Sequence, residues 1–177
     1  MVYPSAPTLD VLTPSHDVSS FTSGKPEIDN FLKRGNALAG MTLGFSVTKV
    51  VVSDDNKVIA YLTYGLGSVS REEAAPRLAQ YVPAYPQPVL VLQRLGIDTS
   101  VQGSGLGRML VREVLQHALL MAHRAEVSGE PPIRAVMVQA LDDEAKAYYQ
   151  HLGITEVSLL DPNLLFLPIK DLKKLGL

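Results

Sequence analysis

The chain has no cysteine, which excludes a disulfide framework, a thiolate zinc site and a cysteine nucleophile. It has no apolar stretch approaching the ~20 residues that span a bilayer, and its first residues carry no basic segment followed by an apolar one. The cytoplasm is the location expected from that absence of signals. A basic excess is also missing: 16 Lys and Arg stand against 18 Asp and Glu, a formal net charge of −2. Proteins that grip nucleic acid along an extended surface usually show such an excess. His16, His117, His123 and His151 never fall at close metal-ligand spacing and read as surface residues. No internal repeat, low-complexity tract or linker breaks the chain. Its 177 residues, 46% hydrophobic and 19% charged, suit one domain (1–177) with a substantial core. Residues 1–8, rich in Pro and Ser, are expected to form a loose arm.

What is present centres on the stretch from Gln93 to Arg108. Upstream, Val89-Leu90-Val91-Leu92 is a continuous apolar run that suits a strand covered on both faces. Downstream, Leu106, Leu110, Val114, Ala118 and Ala122 recur at helical spacing, with Arg108, Arg112, Glu113 and Gln116 between them. Gly103, Gly105 and Gly107 therefore sit where a helix begins. There the first amides lack an intrahelical partner and the macrodipole favours an anion. Without side chains in the way, a phosphate can reach those amides. Two nucleotide motifs fail on specific residues. A P-loop needs Lys-Ser/Thr after the last glycine, where Arg108-Met109 stands. The dinucleotide fingerprint needs a third glycine at the position of Arg108.

The remaining pattern resembles the GNAT superfamily of acyl-CoA-dependent N-acyltransferases, whose signature Gln/Arg-x-x-Gly-x-Gly/Ala is matched by Gln102, Gly105 and Gly107. The preceding strand, Leu95-Gly96-Ile97-Asp98 and the long amphipathic helix strengthen the match. The resemblance implies acetyl-CoA as cosubstrate. Backbone groups of Leu95 and Ile97, flanking Gly96, would pair with its pantetheine arm. The loop Gln102-Gly103-Ser104-Gly105-Leu106-Gly107 would hold the pyrophosphate, with Arg108 beside it. It also implies an α+β GNAT fold: a mixed, mostly antiparallel sheet, helices on both faces, and two central parallel strands that splay apart.

Taken in order, Ile28, Phe31, Leu32 and, more weakly, Leu38 fall at helical spacing. Phe45–Val52 and Val58–Leu66, joined by Asp54-Asp55-Asn56-Lys57, predict an antiparallel hairpin. Ser70 and Glu73 form a capping-box pattern for a helix reaching about Gln80, and the prolines from Tyr81 to Pro88 exclude regular structure there. Glu126–Pro132 reads as a loop, Ile133–Leu141 as a buried strand, and Asp142 or Asp143 as the cap of a helix closed by Gly153. One or two short strands near Phe166 and a basic tail from Lys170 to Lys174 complete the chain.

In this superfamily a tyrosine four residues before a glycine donates a proton to the departing thiolate, and Tyr149 with Gly153 has that spacing. A phenol of pKa ≈ 10 is protonated at neutral pH and is a competent acid toward a thiolate. Tyr148 is expected in the core. No residue stands out as general base, and Glu72 and Glu73 read as a solvated helix start. Arg94, at the end of an apolar strand, needs a partner, either a structural carboxylate or substrate.

A narrower likeness spans about Phe21 to Phe166. Phe21-x-Ser23-Gly24-x-x-x-Ile28-Asp29-x-Phe31-Leu32, then Arg94-Leu95-Gly96-Ile97-Asp98, then Ala147-Tyr148-Tyr149 before Gly153, is similar to the acetyltransferase toxins of type II toxin–antitoxin pairs. That likeness implies acetylation of the amino group of aminoacyl-tRNA, a ribbon-helix-helix antitoxin as partner, and a homodimer. The residues leave open a small-molecule amine as acceptor, or a CoA-binding module without turnover.

Overall fold

A computed structural model describes residues 7–177, so residues 1–6 of the expected N-terminal arm lie outside the described residues. Among the described residues seven strands, β1 (Asp10–Val11), β2 (Val47–Val52), β3 (Val58–Val69), β4 (Gln87–Ile97), β5 (Ala135–Gln139), β6 (Glu156–Val157) and β7 (Leu164–Pro168), form a mixed sheet in the order β1-β2-β3-β4-β5-β7-β6, accompanied by helices, as the α+β expectation required. The chain divides into two compact units: the described residues up to Gly65 with Gln93–Leu110, and Leu66–Leu92 with Val111–Leu177. No described helix is long and apolar enough to cross a membrane.

In the first unit, β1 (Asp10–Val11) pairs antiparallel with β2 (Val47–Val52). The expected single helical stretch is two helices, α1 (Pro26–Lys33) and α2 (Asn36–Thr42). The break is at Gly35, whose φ of 79° no helix interior accommodates. Pro26 starts α1, where its missing N–H costs no hydrogen bond, and Ile28 and Leu32 turn inward. The predicted hairpin forms between β2 and β3 (Val58–Val69), with Val47 opposite Tyr64 and Asn56 supplying a positive φ in the turn. Its first strand starts at Val47 instead of Phe45, because Phe45 N–H is used on Gly40 C=O at 2.8 Å to close α2. Phe21, Ile28, Leu32, Val50, Val58 and Tyr61 make the core of this unit.

The second unit carries the parallel pair. β4 (Gln87–Ile97) aligns Leu90, Val91 and Leu92 with Val136, Met137 and Val138 of β5 (Ala135–Gln139). That pairing stops at Leu92, although β4 runs five residues further into the first unit. Between the two strands lies the long α4 (Leu106–Ser128), which outruns the loop expected from Glu126. Its inward stripe in this unit is Val111, Val114, Leu115, Ala118 and Ala122, all buried. β6 (Glu156–Val157) and β7 (Leu164–Pro168) close the sheet antiparallel, and a last turn of helix spans Ile169–Leu172.

The capping box at Ser70 is real but caps less than predicted. Ser70 N–H donates to Glu73 Oε2 at 3.0 Å, and Glu73 N–H donates to Ser70 Oγ at 3.2 Å. Only a turn follows, since Pro76 forces Ala75 to an extended ψ of 151° and the helix restarts as α3 (Pro76–Ala79).

Candidate active site

The glycine loop is built outward from the end of β4. Asp98 caps a 3-10 turn at Thr99–Val101, accepting from Ser100 N–H at 3.0 Å and from its hydroxyl at 2.7 Å. Gln102 sends Nε2 to Ser23 C=O at 2.9 Å and to Ile97 C=O at 3.0 Å. Ser104 turns both its N–H (3.3 Å) and its hydroxyl (2.6 Å) onto Val101 C=O. Gly103 and Gly105 hold φ of 78° and 89° on an exposed surface, where an added Cβ would meet no atom within 4 Å. Their missing side chains therefore leave an open front instead of making room for the protein itself. Leu106 and Gly107 are buried in the first turn of α4, whose ladder begins with Met109 N–H on Gly105 C=O at 3.1 Å. Amides ahead of Met109 have no helical carbonyl to reach, so an anion in front of this loop meets N–H groups and the positive helix end. Arg108 is exposed on that same first turn.

Leu95 and Ile97 are half-buried on the last stretch of β4. Gly96 faces the other way: a Cβ there would run into the Tyr61 ring and come within 2.8 Å of Ile28 Cγ2. Arg94 shares that face. Its guanidinium lies 5.2 Å from the Phe31 ring centre, bonds Gln93 C=O at 2.7 Å and meets exposed Glu27 at 3.5 Å, while Nε is buried with no partner. These contacts pair Arg94 only loosely beneath α1.

Tyr149 belongs to the second unit, on α5 (Asp143–His151). Asp142 is the cap, accepting from Ala145 N–H at 2.8 Å, and Gly153 closes the helix at φ 101°. Tyr149 is 8% exposed, whereas Tyr148 is 37% exposed, which corrects its expected core position. The α5 turn sets one tyrosine in and its neighbour out, with ring centres 5.8 Å apart. Glu73 is occupied by the Ser70 cap. No group of three His, Cys, Asp or Glu able to hold a metal exists among the described residues. The sequence alone assigned no bonding role to Thr22, Asp98 and Asp29, which bind the loop's surroundings together. An Asp ending an apolar strand two residues before a Ser was the available signal.

A strand ending in an open glycine loop that leads into a long helix suits a donor carrying a phosphate, as the acyl-CoA-dependent transferases use. The chain belongs to the Acetyltransferase (GNAT) family, whose model matches residues 16–154. It is 35% identical over 164 residues to the tRNA-acetylating toxin of Mycobacterium tuberculosis (strain ATCC 25618 / H37Rv), covering 93% of each chain. Among solved structures, a tyrosine-to-phenylalanine mutant of KacT superposes with a TM-score of 0.80 at 28% identity, covering 95% of this chain and 98% of that one. AtaT complexed with acetyl-methionyl-tRNAfMet gives a TM-score of 0.79 at 25% identity, covering 96% and 99%.

Proposed function

We propose that this protein is an acetyl-CoA-dependent N-acetyltransferase that acetylates the amino group of aminoacyl-tRNA and so acts as a toxin. The observation that carries the reading is its end-to-end likeness to a tRNA-acetylating toxin. The open front at Gly103 and Gly105 supplies the physical fit for a diphosphate. A ribbon-helix-helix antitoxin, a homodimer and a cytoplasmic location complete the proposal, following the likeness to the toxin branch.

Bound acetyl-CoA supplies an acetyl thioester. Loop amides around Gly103, Gly105 and Gly107 hold its diphosphate, with Arg108 as the nearby cation, and backbone groups of Leu95 and Ile97 hold its arm. A backbone N–H at the end of β4 stabilises charge developing on the carbonyl oxygen. The acceptor amine, having lost a proton to water, forms the new N–C bond as the C–S bond breaks. The Tyr149 hydroxyl gives its proton to the departing sulfur and regains one from solvent, which takes up the second proton that the nitrogen sheds as the amide forms. With no cysteine in the chain to carry an acyl group, transfer is direct, and positioning supplies most of the acceleration.

The test is acetylation of charged tRNA by wild type and Tyr149→Phe, alongside calorimetric titration with acetyl-CoA. Tyr149→Phe is expected to bind acetyl-CoA and to lose about 10²–10⁴-fold in turnover. Wild-type turnover by the variant removes Tyr149 from the chemistry. Activity on RNA is expected to fall steeply with salt; flat salt dependence with a small amine as the better acceptor points to the other substrate class. Binding without acetylation of either leaves a CoA-binding module.

A further inference from the structure

All four backbone polar groups of Thr22 and Ser23 are hydrogen-bonded, and three of them reach the segment Asp98–Gln102. Thr22 N–H donates to Asp98 Oδ2 at 2.9 Å, and Thr22 C=O accepts from Thr99 N–H at 2.8 Å. Ser23 C=O accepts from Gln102 Nε2 at 2.9 Å, while Ser23 N–H donates to Asp29 Oδ1 at 2.7 Å. Asp29 Oδ1 also takes the Ser23 hydroxyl at 2.6 Å, which anchors the turn to α1. One short turn ahead of α1 thus fastens the backbone that leads into Gly103–Gly107.

These bonds turn the signature glutamine inward. Its side-chain donor is committed to two carbonyls of the protein, Ser23 and Ile97, at 2.9 and 3.0 Å. A loop with two glycines at positive φ has little stiffness of its own, and ordering it on binding opposes affinity. Fastened from one side, its amides are arranged before a ligand arrives.

Resting on the acetyl-CoA reading, we propose that Asp98 and Gln102 are positioning residues of the diphosphate loop, acting through the Thr22–Ser23 turn and not through their own side-chain contact with the cosubstrate. A merely structural role would weaken every ligand alike. A positioning role weakens only ligands that use the loop.

Acetyl-CoA and acetyl-pantetheine separate the two, because the second carries the same thioester without the diphosphate. Equilibrium titrations of wild type, Asp98→Ala and Gln102→Ala with each compound give the result. Expected is a rise of about tenfold in the Kd for acetyl-CoA in both variants, the loss of one charge-assisted or doubly used hydrogen bond, with the Kd for acetyl-pantetheine held in Asp98→Ala and rising far less than that for acetyl-CoA in Gln102→Ala, whose side chain also bonds Ile97 C=O beside the arm. Gln102 is exposed, so Gln102→Ala carries the test if Asp98→Ala fails to fold. Equal weakening of both compounds, or an unchanged Kd for acetyl-CoA, overturns the positioning role alone. A wild type that binds both equally overturns the loop reading and this proposal with it.

Discussion

The hydroxyl oxygens of Thr48 and Thr63 lie 2.7 Å apart across the β2–β3 pair, directly opposite in register and both fully buried. Each is the partner that keeps the other from being an orphaned polar group. Thr48→Val or Thr63→Val alone is expected to destabilise by about 1–3 kcal/mol, the cost of leaving one buried hydroxyl unpaired. The double Val variant is expected near wild type, since both polar atoms go and the β-branched shape stays. Urea denaturation of the four proteins measures the coupling; strictly additive losses would show that the hydroxyls do not depend on each other.

Sequence reasoning read this part of the chain well for a physical reason. Val47–Val52 and Val58–Val69 are rich in branched residues and flank a turn, so period and punctuation agree. The unit from Val89 through the glycine loop into α4 was legible on the same grounds, and a cap at Asp142 or Asp143 followed from residue type, with Asp142 taking it. What escaped depends on backbone angles and distant partners. Gly35 splits a helical period that its neighbours alone would sustain. Pro76 overrules a well-formed capping box. Tyr148 and Tyr149 have the same composition and opposite burial, because only packing decides which side of α5 faces inward. The role of Asp98 needed Thr22, which no local window contains.

Gly96 and Gly105 are expected to fail differently when replaced. At Gly96 a methyl group presses on Tyr61, a fully buried ring whose hydroxyl donates to Ile28 C=O at 2.8 Å. Gly96→Ala is therefore expected to cost about 1–3 kcal/mol by overpacking, read as a lower urea midpoint. Gly105 has free space but a φ of 89°, so a side chain costs about 1–2 kcal/mol of backbone strain. Gly105→Glu is expected to stay folded and to give no heat on titration with acetyl-CoA, because bulk and negative charge then stand in the loop. Full binding by that variant would remove the loop from the cosubstrate site.

Acid is expected to loosen the chain through particular carboxylates. Burial opposes ionisation of Asp98, yet the Ser100 hydroxyl, the Thr22 and Ser100 amides and Lys33 together outweigh it and hold its pKa below the ordinary 3.8. Asp171 is lowered as well, chiefly by its hydrogen bond from Lys174, with burial opposing and Arg77 assisting. A carboxyl depressed in the native state stabilises fully above its unfolded pKa, and that contribution fades as pH falls through the native value. Urea midpoints should hold steady down to about pH 5 and decline below the ordinary carboxyl range, with a shallower decline in Asp98→Asn. An identical acid profile in the variant would show that Asp98 is not among the groups responsible.

The fastening of the loop also has a meaning in time. Thr22 and Asp98 stand 76 positions apart, and Ser23 and Gln102 stand 79 apart. A chain emerging from its N-terminus makes one half of that fastening early and must wait for most of its length before the other half exists. Both anchors of that frame, Asp98 and Gln102, precede Gly103–Gly107 by a few residues, so the frame and the loop it holds are completed together. The same dependence means that a fragment beginning after Gly24 would carry the complete glycine signature and bind its cosubstrate poorly. The signature is a local string; the competence to use it belongs to more than half of the chain.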